Sequence, residues 1–173
     1  IVREILESEE RYKNLVESNP HGIQKIDTEG IITYTNPAYQ RMLGYTKEEL
    51  LGKSILGLAE PFSRLNELRD YLAYLVKEQP LPTTYYQQNR TKDGRIIDMA
   101  VDWNYSHDDQ GRVVGFMSVI TDITERKKTQ DALRESEEKY RLLADNSSDV
   151  IMLMDMNAKP VYFSPSITRL LGY

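Results

Sequence analysis

The chain has 173 residues, enough for one domain with a buried core and a shorter additional segment. Acidic residues outnumber basic ones by 27 to 22, and no segment shows the broad basic face that a phosphate backbone requires, which argues against nucleic acid as a partner. The absence of cysteine excludes disulfides and thiolate chemistry and agrees with a reducing compartment. Without a membrane-spanning apolar run or a cleavable signal, we expect a cytoplasmic segment with no membrane contact.

A charged linker helix is predicted over residues 1–18. The apolar residues Ile5, Tyr12 and Leu15 recur at the spacing of a coiled-coil seam, so we expect this helix to take part in a homodimer. Asn19-Pro20-His21-Gly22 then breaks the helix, because proline and glycine together interrupt helical structure. A domain boundary is therefore predicted at residue 19.

The domain opens with a predicted β-hairpin, formed by residues 23–27 and 31–35 around a turn at residues 28–30. Asn36 and Pro37 follow as a helix start. Asparagine can cap free backbone N–H groups, and proline suits the first helical position. The hairpin is therefore expected to lead directly into a helix.

Two short helices and one longer helix are predicted next. Gly44 suits the left-handed residue that ends the first helix, and residues 46–49 form a capping box that opens the second, which Gly52 closes. The longer helix lies between Pro61 and Pro80. Its apolar stripe, expected to lie on a flat surface, consists of Phe62, Leu65, Leu68, Leu72, Leu75 and Val76.

Three strands are predicted at residues 83–91, 96–105 and 113–123, with hairpin signals at residues 92–95 and 108–111 between them. Apolar residues alternate along the middle strand, as expected where one face is buried; they are Ile97, Met99, Val101, Trp103 and Tyr105. Two strands, several helices and then three strands indicate an α+β fold, with an antiparallel sheet and helices on one face.

The sequence repeats itself at an offset of 128 residues. Residues 7–45 align without a gap on residues 135–173, with 14 of 39 pairs identical. This period is too long for a solenoid repeat and indicates tandem domains. We predict a domain at residues 19–124, a coiled-coil linker helix at residues 125–146 and a truncated second domain at residues 147–173. The linker repeats the apolar seam at Leu133, Tyr140 and Leu143, and the chain is expected to be a piece of a longer protein.

Five short motifs occur in a characteristic order. They are Asn36-Pro37-Ala38-Tyr39, Gly44-Tyr45, Glu49-Leu50-Leu51-Gly52-Lys53, Lys92-Asp93-Gly94 and Asp122-Ile123-Thr124-Glu125-Arg126-Lys127. Together they resemble a PAS domain of the S-box type followed by its PAC motif, within a tandem PAS region. The resemblance implies a five-stranded antiparallel sheet with helices packed on one face, flanked by coiled-coil helices, and enclosing a small cavity where many relatives hold a ligand.

The resemblance also implies a sensory role in a modular bacterial or archaeal receptor, with a histidine kinase as the leading output domain and a diguanylate cyclase as an alternative. Relatives use the Asp of the Asp122-Ile123-Thr124 motif in a polar clasp to the domain body, and Arg95 or Lys92 is its predicted partner. The alternative is that Thr124 simply caps the outgoing helix and that Asp122 is a surface charge.

A ligand, if one binds, is expected to be a small molecule in the cavity. The residues predicted to line it are Leu68, Tyr71, Leu72, Leu75, Tyr85, Met99, Val101, Trp103, Met117 and Val119. The hydroxyls of Tyr71, Tyr74, Tyr85 and Tyr86 can orient a ligand or reach water. The alternative is that the apolar residues form an ordinary core, in which case the module is a ligand-free spacer for dimerisation.

No cofactor, metal site or catalytic group is identified. The absence of cysteine excludes a cysteinyl-flavin adduct, and the absence of histidine from residues 62–78 argues against haem, which relatives bind through a histidine of the longer helix. His21 and His107 fall in predicted turns, where a solvated imidazole is the ordinary state. The sequence contains no Ser/His/Asp order, no His-Glu-x-x-His motif and no phosphate-binding glycine loop, so no enzymatic activity is predicted for this segment.

Overall fold

The computed structural model describes residues 2–60, 65–147 and 149–172, without the side chains of residues 2–7 and of Leu170. Phe62 of the predicted apolar stripe and the side chain of Ile5 in the predicted seam therefore lie outside the described residues. The chain divides into two compact units, Ile1–Thr124 and Glu125–Tyr173.

The first unit contains one antiparallel sheet with helices against it. Its elements in chain order are α1 (Val2–Glu17), β1 (Gly22–Asp27), β2 (Ile32–Thr35), α2 (Pro37–Leu43), α3 (Lys47–Leu50), a 3-10 turn (Ile55–Gly57), β3 (Ala59–Glu60), α4 (Leu65–Glu78), β4 (Tyr85–Arg90), β5 (Ile96–His107) and β6 (Val113–Asp122), after which α5 (Thr124–Asn146) begins. The strand order is β2-β1-β6-β5-β4-β3, which brings the first and last strands together at the centre. The predicted α+β class with an antiparallel sheet is confirmed.

Among the described residues the sheet has six strands instead of the predicted five, because β3 pairs with β4 through Ala59 and Glu60. A two-residue strand carries no alternation by which a sequence could reveal it. β5 also runs two residues further than predicted, so that His107 is the last residue of a strand and pairs with Val113.

Local sequence signals set the first turns and helices as predicted. Asn36 caps α2 by accepting a hydrogen bond from the backbone N–H of Tyr39 at 3.1 Å, and Gly44 ends the helix in the left-handed region at φ 77°. Thr46 and Glu49 form both hydrogen bonds of the capping box that opens α3. These features depend on residues at most four positions apart, which is why the pattern is sufficient to predict them.

The apolar stripe of α4 is buried in the domain core. Leu68, Leu72 and Leu75 are 6%, 7% and 2% exposed and pack in the same cluster as Met99 and Phe116 of the sheet. Each fully buried leucine side chain stabilises the fold by about 1.5–3 kcal/mol. This packing places α4 over the inner face of the sheet, where it forms one wall of the candidate site.

The second unit contains the rest of α5 followed by a short hairpin and a helix. The hairpin consists of β7 (Met152–Met154) and β8 (Pro160–Phe163), and α6 (Ser166–Leu171) follows. Many of its apolar side chains are exposed, including Leu153 and Val161. No helix in the described parts of the chain is long and apolar enough to cross a membrane.

Candidate functional site

A partly enclosed cavity of about 50 Å³ lies between α4 and the inner face of the sheet. It can hold a few water molecules, and it is smaller than the cavity of about 150 Å³ that binds benzene in an engineered protein. Most of the residues predicted to line it do so, namely Leu68, Tyr71, Leu72, Leu75, Tyr85, Val101 and Trp103. Met99 is fully buried in the surrounding core rather than in the cavity lining.

The prediction that Met117 and Val119 line the cavity is wrong. Successive residues of a strand point to opposite faces, and in β6 the inner face carries Phe116, Ser118 and Ile120. Met117 instead lines a groove on the other side of the sheet, beside α1. Both faces of β6 are largely apolar, so alternation alone could not show which set points inward.

Several cavity residues were not predicted from the sequence. Four are apolar residues of the hairpin, the 3-10 turn and β6, namely Ile26, Ile55, Phe116 and Ile120. The other three are polar, namely Gln24, Gln87 and Ser118. Glutamine and serine are usually exposed, so nothing in their local sequence signalled an interior position.

Polar side chains cross three adjacent strands at the cavity. Gln24 of β1 lies opposite Ser118 of β6, and Ser118 lies opposite Trp103 of β5. We call these three residues the polar row. They are 5%, 7% and 8% exposed in that order, and all three line the cavity.

Two donors of the polar row lack partners. Within the described residues, neither Gln24 Nε2 nor Trp103 Nε1 makes a hydrogen bond. Gln87, by contrast, donates from Nε2 to Asn89 Oδ1 at 3.0 Å. Buried polar groups are nearly always paired, and an unpaired one costs about 1–3 kcal/mol.

Aromatic rings form much of the remaining wall. Tyr71 of α4 and Tyr85 of β4 stack with ring centroids 5.0 Å apart, and Trp103 meets Phe116 edge to face at 5.7 Å. Of the four tyrosines whose hydroxyls were considered, Tyr71 and Tyr85 line the cavity, whereas Tyr74 and Tyr86 are 49% and 67% exposed. The cavity therefore has flat apolar walls around a polar centre.

A hydrogen-bonded clasp joins the end of β6 to the start of β5. Asp122 Oδ1 accepts hydrogen bonds from the backbone N–H of Thr124 at 2.9 Å and from its hydroxyl at 2.5 Å. The Thr124 hydroxyl accepts a hydrogen bond from the N–H of Asp98 at 2.9 Å, and Ile123 N–H donates to the Asp98 carbonyl at 2.9 Å. The carboxylate of Asp122 thus binds the first N–H of α5, while Thr124 links that carboxylate to β5.

The two cations predicted as partners of Asp122 donate their hydrogen bonds to other carboxylates. Lys92 donates to Glu49 of α3 at 2.6 Å and stacks over the ring of Tyr45 at 5.8 Å. Arg95 donates to Asp93 within its own hairpin at 2.8 Å, and this bond is the main cause that raises the pKa of Arg95, with Asp122 a minor contributor. The predicted clasp through Lys92 or Arg95 is therefore replaced by one through Thr124 and Asp98.

The β4–β5 hairpin is held together by its own side chains. Hydrogen bonds from the Thr91 hydroxyl and from Arg95 lower the pKa of Asp93 to about 2. Arg95 thus stabilises this hairpin through its ion pair with Asp93, and Lys92 stabilises the contact between the hairpin and α3 through its ion pair with Glu49.

The two histidines lie apart from the cavity. His21 follows α1, and its Nδ1 lies 3.2 Å from the hydroxyl of Thr121. His107 ends β5, with its ring centroid 6.1 Å from that of Tyr105. In the described portions of the chain, no three His, Asp or Glu side chains cluster in a way that could hold a metal ion.

Comparison with known proteins gives one family match and many relatives. The family model described as the PAS fold matches residues 10–123. The chain is 32% identical over 130 residues to the sensor histidine kinase TmoS of Ectopseudomonas mendocina, an alignment that covers 74% of this chain and 13% of that protein. It is 26% identical over 165 residues to the probable diguanylate cyclase DgcE of Escherichia coli (strain K12), covering 94% of this chain and 14% of that protein.

Solved structures show the same fold. The crystal structure of the PAS domain of an HTR-like protein from Haloarcula marismortui matches with a TM-score of 0.61 at 21% sequence identity, covering 70% of this chain and 96% of that one. The chain therefore matches a whole domain in this structure, whereas it spans only a small part of the two curated relatives.

Proposed function

This chain belongs to the PAS fold family, and we propose that it is the sensory module of a larger signalling protein. In this proposal a small molecule binds in the cavity and alters the conformation of the sheet. The clasp at Asp122, Ile123 and Thr124 relays this conformational change to α5. The segment itself is non-catalytic. The observation that carries the proposal is that one strand, β5, holds both Trp103 in the cavity wall and Asp98 in the clasp.

The free energy by which a ligand can couple to a distant site is similar to the free energy of the hydrogen bonds in the clasp. A ligand shifts an equilibrium between two arrangements only by the difference between its affinities for them. Couplings between sites are typically about 1–3 kcal/mol. The clasp is made of hydrogen bonds that contribute about 1 kcal/mol each, so gaining or losing two of them is within reach of a bound ligand.

For the output we propose a histidine kinase. The similarity to TmoS, a sensor histidine kinase, supports this choice, and the similarity to DgcE supports a diguanylate cyclase as the alternative. In either case α5 would connect the sensory domain to further domains of the parent protein.

The relay predicts that Thr124→Val uncouples sensing from output. Valine keeps the shape of threonine but loses the hydroxyl that joins Asp122 to Asp98. We expect the difference in output between stimulated and unstimulated full-length protein to disappear, with a loss of about 1–2 kcal/mol in the free energy of unfolding. Hydrogen exchange should also show faster exchange of the Asp98 amide in the variant.

The matched control is Thr129→Val, the same change in α5 at a hydroxyl that, among the described residues, donates within the helix to the carbonyl of Glu125. This variant should respond as the wild type does. If the Asp98 amide exchanges faster in Thr124→Val but the variant still responds normally to the stimulus, the clasp carries no signal.

A second candidate function is a ligand-free spacer that holds two chains together. The observation that favours it is the exposure of the predicted seams: Tyr12 and Leu15 are 58% and 64% exposed in α1, and Leu133, Tyr140 and Leu143 are 59%, 69% and 60% exposed in α5. Apolar residues at this spacing are typical of helices that pair. A dimer is compatible with both functions, whereas only the spacer function requires that no ligand binds in the cavity.

We expect the 173-residue chain to sediment as a dimer at tens of micromolar, and Leu143→Glu to shift it towards the monomer, because a buried glutamate would disrupt an apolar seam. Leu142→Glu is the control, since Leu142 is 62% exposed on the same helix but lies outside the seam. Sedimentation of the wild type as a monomer throughout this range would contradict self-association.

A further inference from the structure

The polar row lies between apolar pairs on the inner face of β1, β6 and β5, while the other polar lining residue, Gln87 of β4, is already hydrogen-bonded. On one side of it, Ile26 and Phe116 lie opposite each other on β1 and β6. On the other side, Ile120 and Val101 lie opposite each other on β6 and β5. Because apolar residues at these three positions would fill the same place without any unpaired group, the row has an energetic cost that the core does not require.

The unpaired groups define what could offset this cost. An indole N–H can only donate a hydrogen bond, so any partner of Trp103 Nε1 has to be an acceptor. The amide N–H₂ of Gln24, also unpaired among the described residues, donates as well. Ser118 lies between them in the register and supplies a hydroxyl that can either donate or accept.

The other residues of the cavity lining indicate whether a ligand there carries a charge. Among the described lining residues there is no Asp, Glu, Lys, Arg or His. An anion placed here would lose its hydration without meeting an opposite charge, which costs several kcal/mol. An uncharged acceptor meets the two donors without this penalty. The flat rings of Tyr71, Tyr85 and Phe116 further suit an apolar body next to the acceptor atom.

We propose that the cavity binds a small uncharged carbonyl compound, whose oxygen accepts hydrogen bonds from Trp103 Nε1 and Gln24 Nε2 while its apolar part lies against the aromatic wall. This inference rests on the proposed sensory function, for which it names the ligand class. A volume of about 50 Å³ limits the ligand to a few non-hydrogen atoms unless α4 moves outward.

Trp103 is the only tryptophan of the chain, so its indole N–H gives a single, directly assigned NMR signal at the site. We expect saturable shifts of this signal when acetone or acetamide is titrated into the 173-residue chain. Acetate, which has nearly the shape of acetamide but carries a charge, should produce no saturable shift at the same concentrations and neutral pH.

The variant Gln24→Met keeps the length of the side chain but removes the amide donor, and we expect it to weaken acetamide binding about fivefold, the equivalent of one hydrogen bond of about 1 kcal/mol. Gln110→Met, the same change at an exposed turn residue, is the control and should bind as the wild type does. The proposal is wrong if acetate binds as tightly as acetamide. It is also wrong if no probe gives a saturable shift, because the donors of the polar row then pair with water alone.

The ligand class and the sensory function fail separately. If native mass spectrometry of the purified protein finds an anionic molecule bound, the carbonyl proposal is wrong while sensing stands. If Thr124→Val leaves the stimulus response intact, the proposed relay is wrong even though the carbonyl probes bind.

Discussion

Replacing Asn36 by alanine is expected to lower the free energy of unfolding by about 3–5 kcal/mol. The side chain is fully buried, and its Oδ1 accepts hydrogen bonds from the N–H groups of Ile23 and Tyr39 at 2.8 and 3.1 Å. Its Nδ2 donates to the carbonyls of Val16 and His21, both at 3.0 Å. Alanine leaves all four backbone groups without this partner, so the end of α1, the start of β1 and the start of α2 lose their common connection.

Urea denaturation of the 173-residue chain measures this effect. The second copy of the repeat suggests an intermediate variant, because Ser164 stands at the position of Asn36 and its hydroxyl accepts a hydrogen bond from Ile151 N–H at 2.9 Å. Asn36→Ser should therefore keep the bond to Ile23 and lose less stability than alanine does.

Asn104→Ala makes the same chemical change at an exposed position of β5 and should cost no more than about 0.5 kcal/mol. A loss below about 1 kcal/mol for Asn36→Ala would mean that the four backbone groups find other partners. Hydrogen exchange in the last turn of α1 would then also remain as slow as in the wild type.

Replacing Gly115 by alanine is expected to cost about 3 kcal/mol or more, because there is no room for a side chain between β6 and β1. A Cβ atom at this position would lie 2.1 Å from the carbonyl oxygen of Ile26 and 3.0 Å from Cα of Asp27. Both are backbone atoms of the paired strand, so they cannot turn aside as the end of a flexible side chain could. The central pair of the sheet would have to separate locally.

The control is Gly111→Ala in the neighbouring turn. Gly111 has a φ of 77°, and a Cβ atom there would meet no described atom within 4 Å beyond its chain neighbours. Alanine at this position therefore bears only the cost of the left-handed conformation, about 1–2 kcal/mol. Thermal and urea unfolding of the two variants should differ clearly. Equal stability of both variants would show that β1 and β6 can move apart without cost.

Gly115 and Asn36 are both connected to the strands that carry the candidate site. Gly115 lies on the strand that supplies Ser118 to the polar row, and Asn36 binds the N–H of Ile23, the residue before Gln24. The strands that hold the cavity lining are thus tied to the pairing at Gly115 and to the hydrogen bonds of Asn36. A ligand that rearranges the row acts on the same central strands whose pairing stabilises the domain.

The sequence alone was sufficient where one short segment decides the structure. Asn36 and Pro37 start α2, residues 46–49 form a capping box, and a turn at residues 28–30 joins the paired strands β1 and β2. Alternation along β5 correctly placed Val101 and Trp103 on the inner face, because only one of its faces is consistently apolar. The motifs in their order were sufficient for the family.

The partners of charged and polar side chains required the tertiary structure. Lys92 pairs with Glu49, which is 43 residues away, so the choice between Glu49 and Asp122 depended on how the hairpin packs against α3. The inward face of β6 and the interior position of Gln24 depended on the register with β1 and β5. The sequence by itself thus determined the order of the longer helices and strands, the main turns and the family, because these follow from local backbone preferences. Only the tertiary structure decided which residues meet in the cavity and the clasp, because those contacts join segments far apart along the chain.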